Sequence, residues 1–248
     1  MKNRYLVLTF LLCLIGLRAN AQEQSTKDFF NLSGGGVFQA NKVTGVTTIT
    51  GKGGLVIGDT YLDSNWHSSS IKLYQKIGSI GRESDSIPPV ALRYDIYNDA
   101  FEIMVSKNDI RGLKGEKVKF FVERQSEGQQ PRVFVNLREF LSEESLTGFA
   151  EILSGGRVTL LSITKVSTTK PTYNEALNSG TKDVRIIKTP QFYYVRSKSI
   201  LKLGGSKKKI IEALGDKGTD VEEWLKKQDL DLKKPSDLAK VFDYYNGL

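Results

Sequence analysis

The chain has 248 residues, a formal net charge of +8, one cysteine (Cys13) and one histidine (His67). That inventory excludes a disulfide framework and any zinc site built from Cys and His. A charge this small for the length does not by itself mark a polyanion binder.

Lys2 and Arg4 make a short basic start, and Tyr5 to Leu17 run apolar with only Thr9 and Gly16 as interruptions. Ala19-Asn20-Ala21 then places small residues where a signal peptidase cuts. The apolar run of about 13 residues is short of the roughly 20 that span a bilayer as a helix. Residues 1–21 are therefore expected to be a cleavable export signal. Cleavage after Ala21 removes Cys13 and three basic residues (Lys2, Arg4 and Arg18) with no acidic one, so +8 falls to +5. The mature chain then has no thiol chemistry, and no other segment is apolar for long enough to span a membrane as a helix.

Residues 22–54 are a Gly/Thr-rich lead-in centred on Gly34-Gly35-Gly36. Within it, Gly45 to Gly53 fails as a phosphate loop. Five residues instead of four separate Gly45 from Gly51, and Gly53 stands where the magnesium-binding hydroxyl belongs. Residues 55–203 carry a β pattern. Val90, Leu92, Tyr94 and Ile96 alternate with polar or small residues, Asn98-Asp99 supply turn chemistry, and Phe101, Ile103 and Val105 resume the alternation. Further strands are expected at Val118–Val122, Val133–Leu137, Phe149–Leu153, Val158–Val166, Phe192–Val195 and Ile200–Leu203, with a polar loop over Pro171–Asp183.

At residue 204 the period changes. Ser206 caps a helix that Gly215 stops, Thr219 with Glu222 forms a capping box for a second, and Pro235 starts a third. Nine lysines from Ser206 to Leu248 are interspersed with nine acids. This is a solvated helical unit over 204–248 rather than a phosphate-tracking stripe, and no nucleic-acid partner is expected. Short connections and period-two alternation predict a mainly β (α+β) fold: one antiparallel, curved sheet followed by a small helical C-terminal unit.

His67, between Trp66 and Ser68-Ser69-Ser70, reads as a turn residue, and no Gly-x-Ser-x-Gly elbow accompanies it. Asp59, Asp63 and Asn65 share one loop whose oxygens suit calcium, although the twelve-residue calcium-loop pattern is absent. Asp95, Asp99 and Glu102 flank the Val90–Val105 hairpin, where turn-forming roles compete with an acid/base pair. Tyr94, Tyr97 and Phe101 are the candidate ligand or partner face, although the same alternation serves a core equally well. No cofactor is indicated.

Gly58-Asp59-Thr60-Tyr61-Leu62-Asp63, the run from Val90 to Glu102, and the tail with Phe192-Tyr193-Tyr194 and Val241 to Asn246 together carry a resemblance. Over residues 55–248 the chain resembles a family of small exported proteins of the Bacteroidota, which have a "plRYniynDeiE"-like stretch and a lysine-rich helical C-terminus. The resemblance implies export and transfers no catalytic residue; Ala100 and Asn65-Trp66-His67 depart from its acidic pattern. Asp85-Ser86-Ile87 is similar to the short O-glycosylation signal of that lineage. The function expected is a non-enzymatic periplasmic or envelope-associated protein that binds an envelope protein or ligand. The alternative is a carboxylate-based hydrolase of envelope glycans, which requires a cleft with two carboxylates about 5–10 Å apart.

Overall fold

The computed structural model describes residues 55–79 and 82–248. The expected export signal, the Gly/Thr-rich lead-in and the Gly45 to Gly53 stretch lie outside the described residues. In chain order the strands are β1 (Val56–Ile57), β2 (His67–Ile77), β3 (Ser84–Asp95), β4 (Ala100–Ser106), β5 (Asp109–Lys114) and β6 (Val118–Glu123). They continue as β7 (Arg132–Asn136), β8 (Phe149–Ser154), β9 (Thr159–Thr168), β10 (Val184–Arg196) and β11 (Ser199–Lys202). Three helices follow: α1 (Lys207–Leu214), α2 (Gly218–Leu225) and α3 (Pro235–Gly247). The sheet has the order β1-β10-β9-β8-β7-β6-β2-β3-β4-β5, with β11 alongside β10. Its ladders are antiparallel except β1 against β10.

The β3–β4 hairpin forms where the alternation is longest, pairing Tyr94 with Phe101 and Arg93 with Glu102. Its inward residues Val90, Leu92, Tyr94, Phe101 and Ile103 are all buried. β2 corrects the expected turn at Trp66 to Ser70, because His67 begins a strand instead. Ser69 continues the buried face of Ile71 and Leu73, and its hydroxyl donates to the His67 carbonyl at 3.3 Å. A small residue with its polar group satisfied occupies an inward position that only apolar residues advertise.

The C-terminal helices pack on the sheet. Val158 and Leu160 share a core with Ile210, Leu214, Val221, Leu238, Val241 and Phe242. Ser206 caps α1 by accepting from the Lys209 N–H, as the sequence predicts. The Thr219–Glu222 box is not used. A single 3₁₀ turn, Gly215–Lys217, runs directly into α2 and leaves Thr219 inside the helix, so no capping position arises there. Among the described residues no helix is long and apolar enough to cross a membrane.

The main core lies at the other end of the sheet and is aromatic. Phe149 of β8 lies 5.2 Å from Phe101 of β4 and 5.1 Å from Tyr94 of β3, ring centre to ring centre. Strands β7, β6, β2 and β3 intervene between β8 and β4 in the sheet order. Along β10, the Val184 N–H and the Phe192 carbonyl both bond to the outer side, toward Leu55 and Leu203. Alternation therefore directs the backbone of Lys188 and Pro190 to the same open edge. Pro190 has no N–H to present there, which guards the edge against strand addition.

Candidate functional site

The loop between β3 and β4 is held from both ends. Asp95 accepts from the N–H groups of Tyr97 and Asn98 and from the Asn98 side-chain amide, at 3.0, 3.2 and 2.7 Å. Asp99 adopts a left-handed conformation with φ of 46°. Its carboxylate accepts from the Tyr94 hydroxyl at 2.7 Å and its carbonyl from the Gly115 N–H. Burial, then the neighbouring Asp99 charge, pushes the Tyr94 hydroxyl far above the usual tyrosine range. These carboxylates do the structural work of a turn.

Tyr97, at the apex, is 71% exposed, whereas Tyr94 is 4% and Phe101 0% exposed. The expected aromatic face of Tyr94, Tyr97 and Phe101 is thus corrected to Tyr97 alone. The other two point inward and pack on each other with ring centres 4.8 Å apart.

The loop Asp59 to Trp66 straps across the end of this hairpin. Leu62 N–H donates to the Tyr94 carbonyl, and Ile96 N–H to the Thr60 carbonyl. Arg93 is sandwiched between the rings of Tyr61 and Trp66, at 4.1 and 4.6 Å, and pairs with Glu102 at 2.7 Å. The Tyr61 hydroxyl donates to Glu102 at 2.9 Å; burial and that bond push it up to about 12.

The strap engages the three residues offered as calcium ligands in turns and side-chain pairs. Asp59 accepts from the Tyr61 N–H and pairs with Lys188 at 3.1 Å. Asp63 accepts from the N–H and amide of Asn65 and lies 3.0 Å from His67 Nε2. The two carboxylates serve separate turns and separate side chains, Lys188 and His67. Among the described residues no group of three or more His, Cys, Asp and Glu is placed to hold a metal. The Asn65 backbone N–H, above all, holds the Asp63 carboxyl below the usual carboxylate range.

A row of charge crosses the inner face of the sheet beyond the aromatic core. Glu123 follows Phe121 by two residues, Arg132 precedes Phe134 by two, and Glu151 follows Phe149 by two, so each shares a face with its aromatic. Arg132 grips Glu151 with two bonds, Nε to Oε1 at 2.8 Å and Nη2 to Oε2 at 2.9 Å. It also reaches Glu123 at 3.2 Å and lies over the Phe134 ring at 4.9 Å. The Glu151 carboxylate, chiefly, holds this guanidinium protonated beyond the usual arginine range. His67 completes the row, with Nδ1 3.8 Å from Glu123. Its buried Nε2 lies near Asp63 without the alignment of a hydrogen bond.

Where strap, turn and row meet there is a cleft of about 190 Å³. Leu62, Ile96 and Tyr97 line it from the strap and the turn, and Glu151, Ser162 and Thr164 from β8 and β9. Glu151 and Ser162 are register partners on β8 and β9, which puts them on one face. Lys165 also borders the cleft, but period two sends its side chain to the opposite face. Among the described residues that line the cleft, Glu151 is the only carboxylate. Its position on a strand of ordinary composition gave no signal, since its partner Arg132 lies 19 residues away. The short distance between Arg132 and Glu123, nine residues apart across one hairpin, was the single cue available.

Compared with family models, curated proteins and solved structures, the chain matches none of them.

Proposed function

We propose that this chain is an exported, non-enzymatic binding module of the periplasm or cell envelope, and that Tyr97 and the cleft beside it form its docking site. One observation carries the reading: an exposed aromatic stands on a loop pinned by hydrogen bonds and lines a cleft whose only carboxylate among the described residues is already ion-paired. A preorganised aromatic loses little conformational freedom on binding, which is what makes tyrosine an effective anchor. Glycan hydrolysis needs two carboxylates, one of them free to move a proton. A single carboxylate held at both oxygens by Arg132 favours binding over that alternative.

Curvature of the sheet belongs to the same reading. On a flat sheet, strands about 4.8 Å apart would put β4 and β8 roughly 24 Å from each other. The 5.2 Å between Phe101 and Phe149 supports a sheet rolled about its aromatic core, with the charged row and the cleft at the mouth of the roll. The cleft lies below the roughly 300–1,000 Å³ of sites for drug-sized ligands. It suits one ring or one side chain of a larger partner.

Site-specific photo-crosslinking in intact cells tests this. A photoreactive residue at position 97 should give a discrete adduct that the same residue at exposed Leu177 does not. The N-terminus of the crosslinked chain should begin at Gln22. Equal labelling at both positions, or glycan cleavage by the purified mature chain that Glu151→Gln abolishes, would overturn the proposal.

A further inference from the structure

We infer that the occupant of the cleft is one neutral sugar residue, the end or a branch of a glycan; this rests on the binding reading above. The wall cannot take a peptide as an added strand. β8 is paired on both sides, to β7 and β9, and β9 to β8 and β10, so their backbone groups are spent within the sheet. Recognition there falls to side chains.

Those side chains have a particular chemistry. Thr147, Ser162 and Thr164 line the cleft, and none of their hydroxyls bonds to another described side chain or backbone group. Each hydroxyl can donate and accept at once. Glu151 has about four lone-pair directions, of which Arg132 occupies two through its bonds at 2.8 and 2.9 Å. The rest remain for ligand hydroxyls, and the carboxylate cannot swing away because the guanidinium holds it. Tyr97 also lines the cleft, and its ring face carries the negative end of its quadrupole, complementary to the weakly positive C–H groups on the flat side of a sugar.

Other ligand classes fit poorly. An apolar ligand would bury three hydroxyls without hydrogen bonds, a cost of about 1–3 kcal/mol per group, and would leave the remaining lone pairs of Glu151 unused. A cation would find Glu151 already neutralised by Arg132, and an anion would face the carboxylate. A ring that is polyhydroxylated at its rim, apolar on one face and uncharged offers a partner to these hydroxyls and to Glu151, and an apolar face to the ring of Tyr97 and the apolar residues that also line the cleft. With about 190 Å³ available, one residue enters and the remaining glycan continues past Tyr97 into solvent.

The test is an amide NMR titration of the full mature chain with free glucose, galactose, mannose and N-acetylglucosamine, with glucuronate and glucosamine as charged comparisons. At least one neutral sugar should shift the amides of Tyr97, Ser162 and Thr164 and leave the C-terminal helices unmoved. Tyr97→Ala should weaken binding about tenfold. Thr164→Val, which keeps the side-chain shape and so the fold, should weaken it about three- to tenfold. The inference is overturned if no neutral sugar moves these amides, if a charged sugar binds better, or if Thr164→Val binds as the parent does. Should the position-97 adduct form in cells while no sugar binds, the sugar assignment falls and the docking site stands. Absence of both removes both.

Discussion

Replacing Phe101 and Phe149 by leucine, singly and together, measures directly whether β8 lies over β4. Phe149 is 7% exposed, and its ring meets those of Tyr94, Phe101 and Phe121 at 5.1, 5.2 and 5.4 Å. Leucine keeps most of the apolar volume, so each single change should cost about 1–1.5 kcal/mol rather than the roughly 3–5 of truncation to alanine. The edge-to-face pair itself is worth about 0.5–1.5 kcal/mol beyond burial. That amount should appear as coupling in the double-mutant cycle, read from urea unfolding of the mature chain with an unchanged denaturant slope. Residues roughly 24 Å apart on a flat sheet would show none. Additivity within about 0.3 kcal/mol would refute the rolled sheet and, with it, the placement of the cleft at its mouth.

Gly148→Ala should destabilise by about 2–3 kcal/mol, because φ is 85° and the new Cβ would come within 2.8 Å of the Tyr94 hydroxyl. Gly128→Ala, with the same φ and nothing within 4 Å, should cost only the conformational part, and equal melting temperatures for the two would contradict this. The Asp63 carboxyl is held below its ordinary 3.8, so its contribution is present above that value and lost as pH falls through the lower folded one. The stability gap between the parent and Asp63→Asn should therefore narrow below about pH 4; a constant gap down to about pH 2 would contradict it. Burial first, then hydrogen bonds to Glu102 and Glu139, push Tyr61 and Tyr74 up to about 12. Their neutral hydroxyls stabilise the fold below about pH 10 and lose that effect as pH rises toward 12, so ultraviolet titration should find both still protonated near pH 11 unless the chain has unfolded.

The β3–β4 hairpin was legible because its apolar positions recur every second residue on both sides of an Asn-Asp turn, and no other local pattern competes. β2 was not. Its inward face begins with His67 and Ser69, and its outward face with Ser68 and Ser70, so the alternation is polar against polar until Ile71. Tyr94 and Phe101 share a face across the hairpin, whereas Tyr97, three residues from Tyr94, is off its parity, and period two does not say which face points inward. What separates them is that Tyr97 lies just past the end of β3, in a loop that Asp95 bends outward. The loop at Asp59, Asp63 and Asn65 looked like a cation site for a related reason. Carboxylates that accept an N–H two residues on are turn devices, and their composition is the same as that of a ligand set.

The cleft was invisible in the sequence because nothing local requires it. Glu151, Ser162 and Thr164 sit on strands that would form equally well with threonine or valine in their place. Their meaning comes from register, which sets Glu151 opposite Ser162 and brings Arg132 across from the neighbouring strand. The same register exposes an energetic oddity. Moving two residues along β6, β7 and β8, the inner face changes from Phe121, Phe134 and Phe149 to Glu123, Arg132 and Glu151. Glu123 is buried there, and desolvating such a group costs more than apolar residues of similar volume would. A fold selected for stability alone would extend the aromatic core along this row. The row stops it instead, beside a loop that holds the ring of Tyr97 out to solvent. Departure from the local rules of packing and display of a rigid anchor coincide at one place, and that coincidence is the physical ground for locating function at the cleft rather than elsewhere on the sheet.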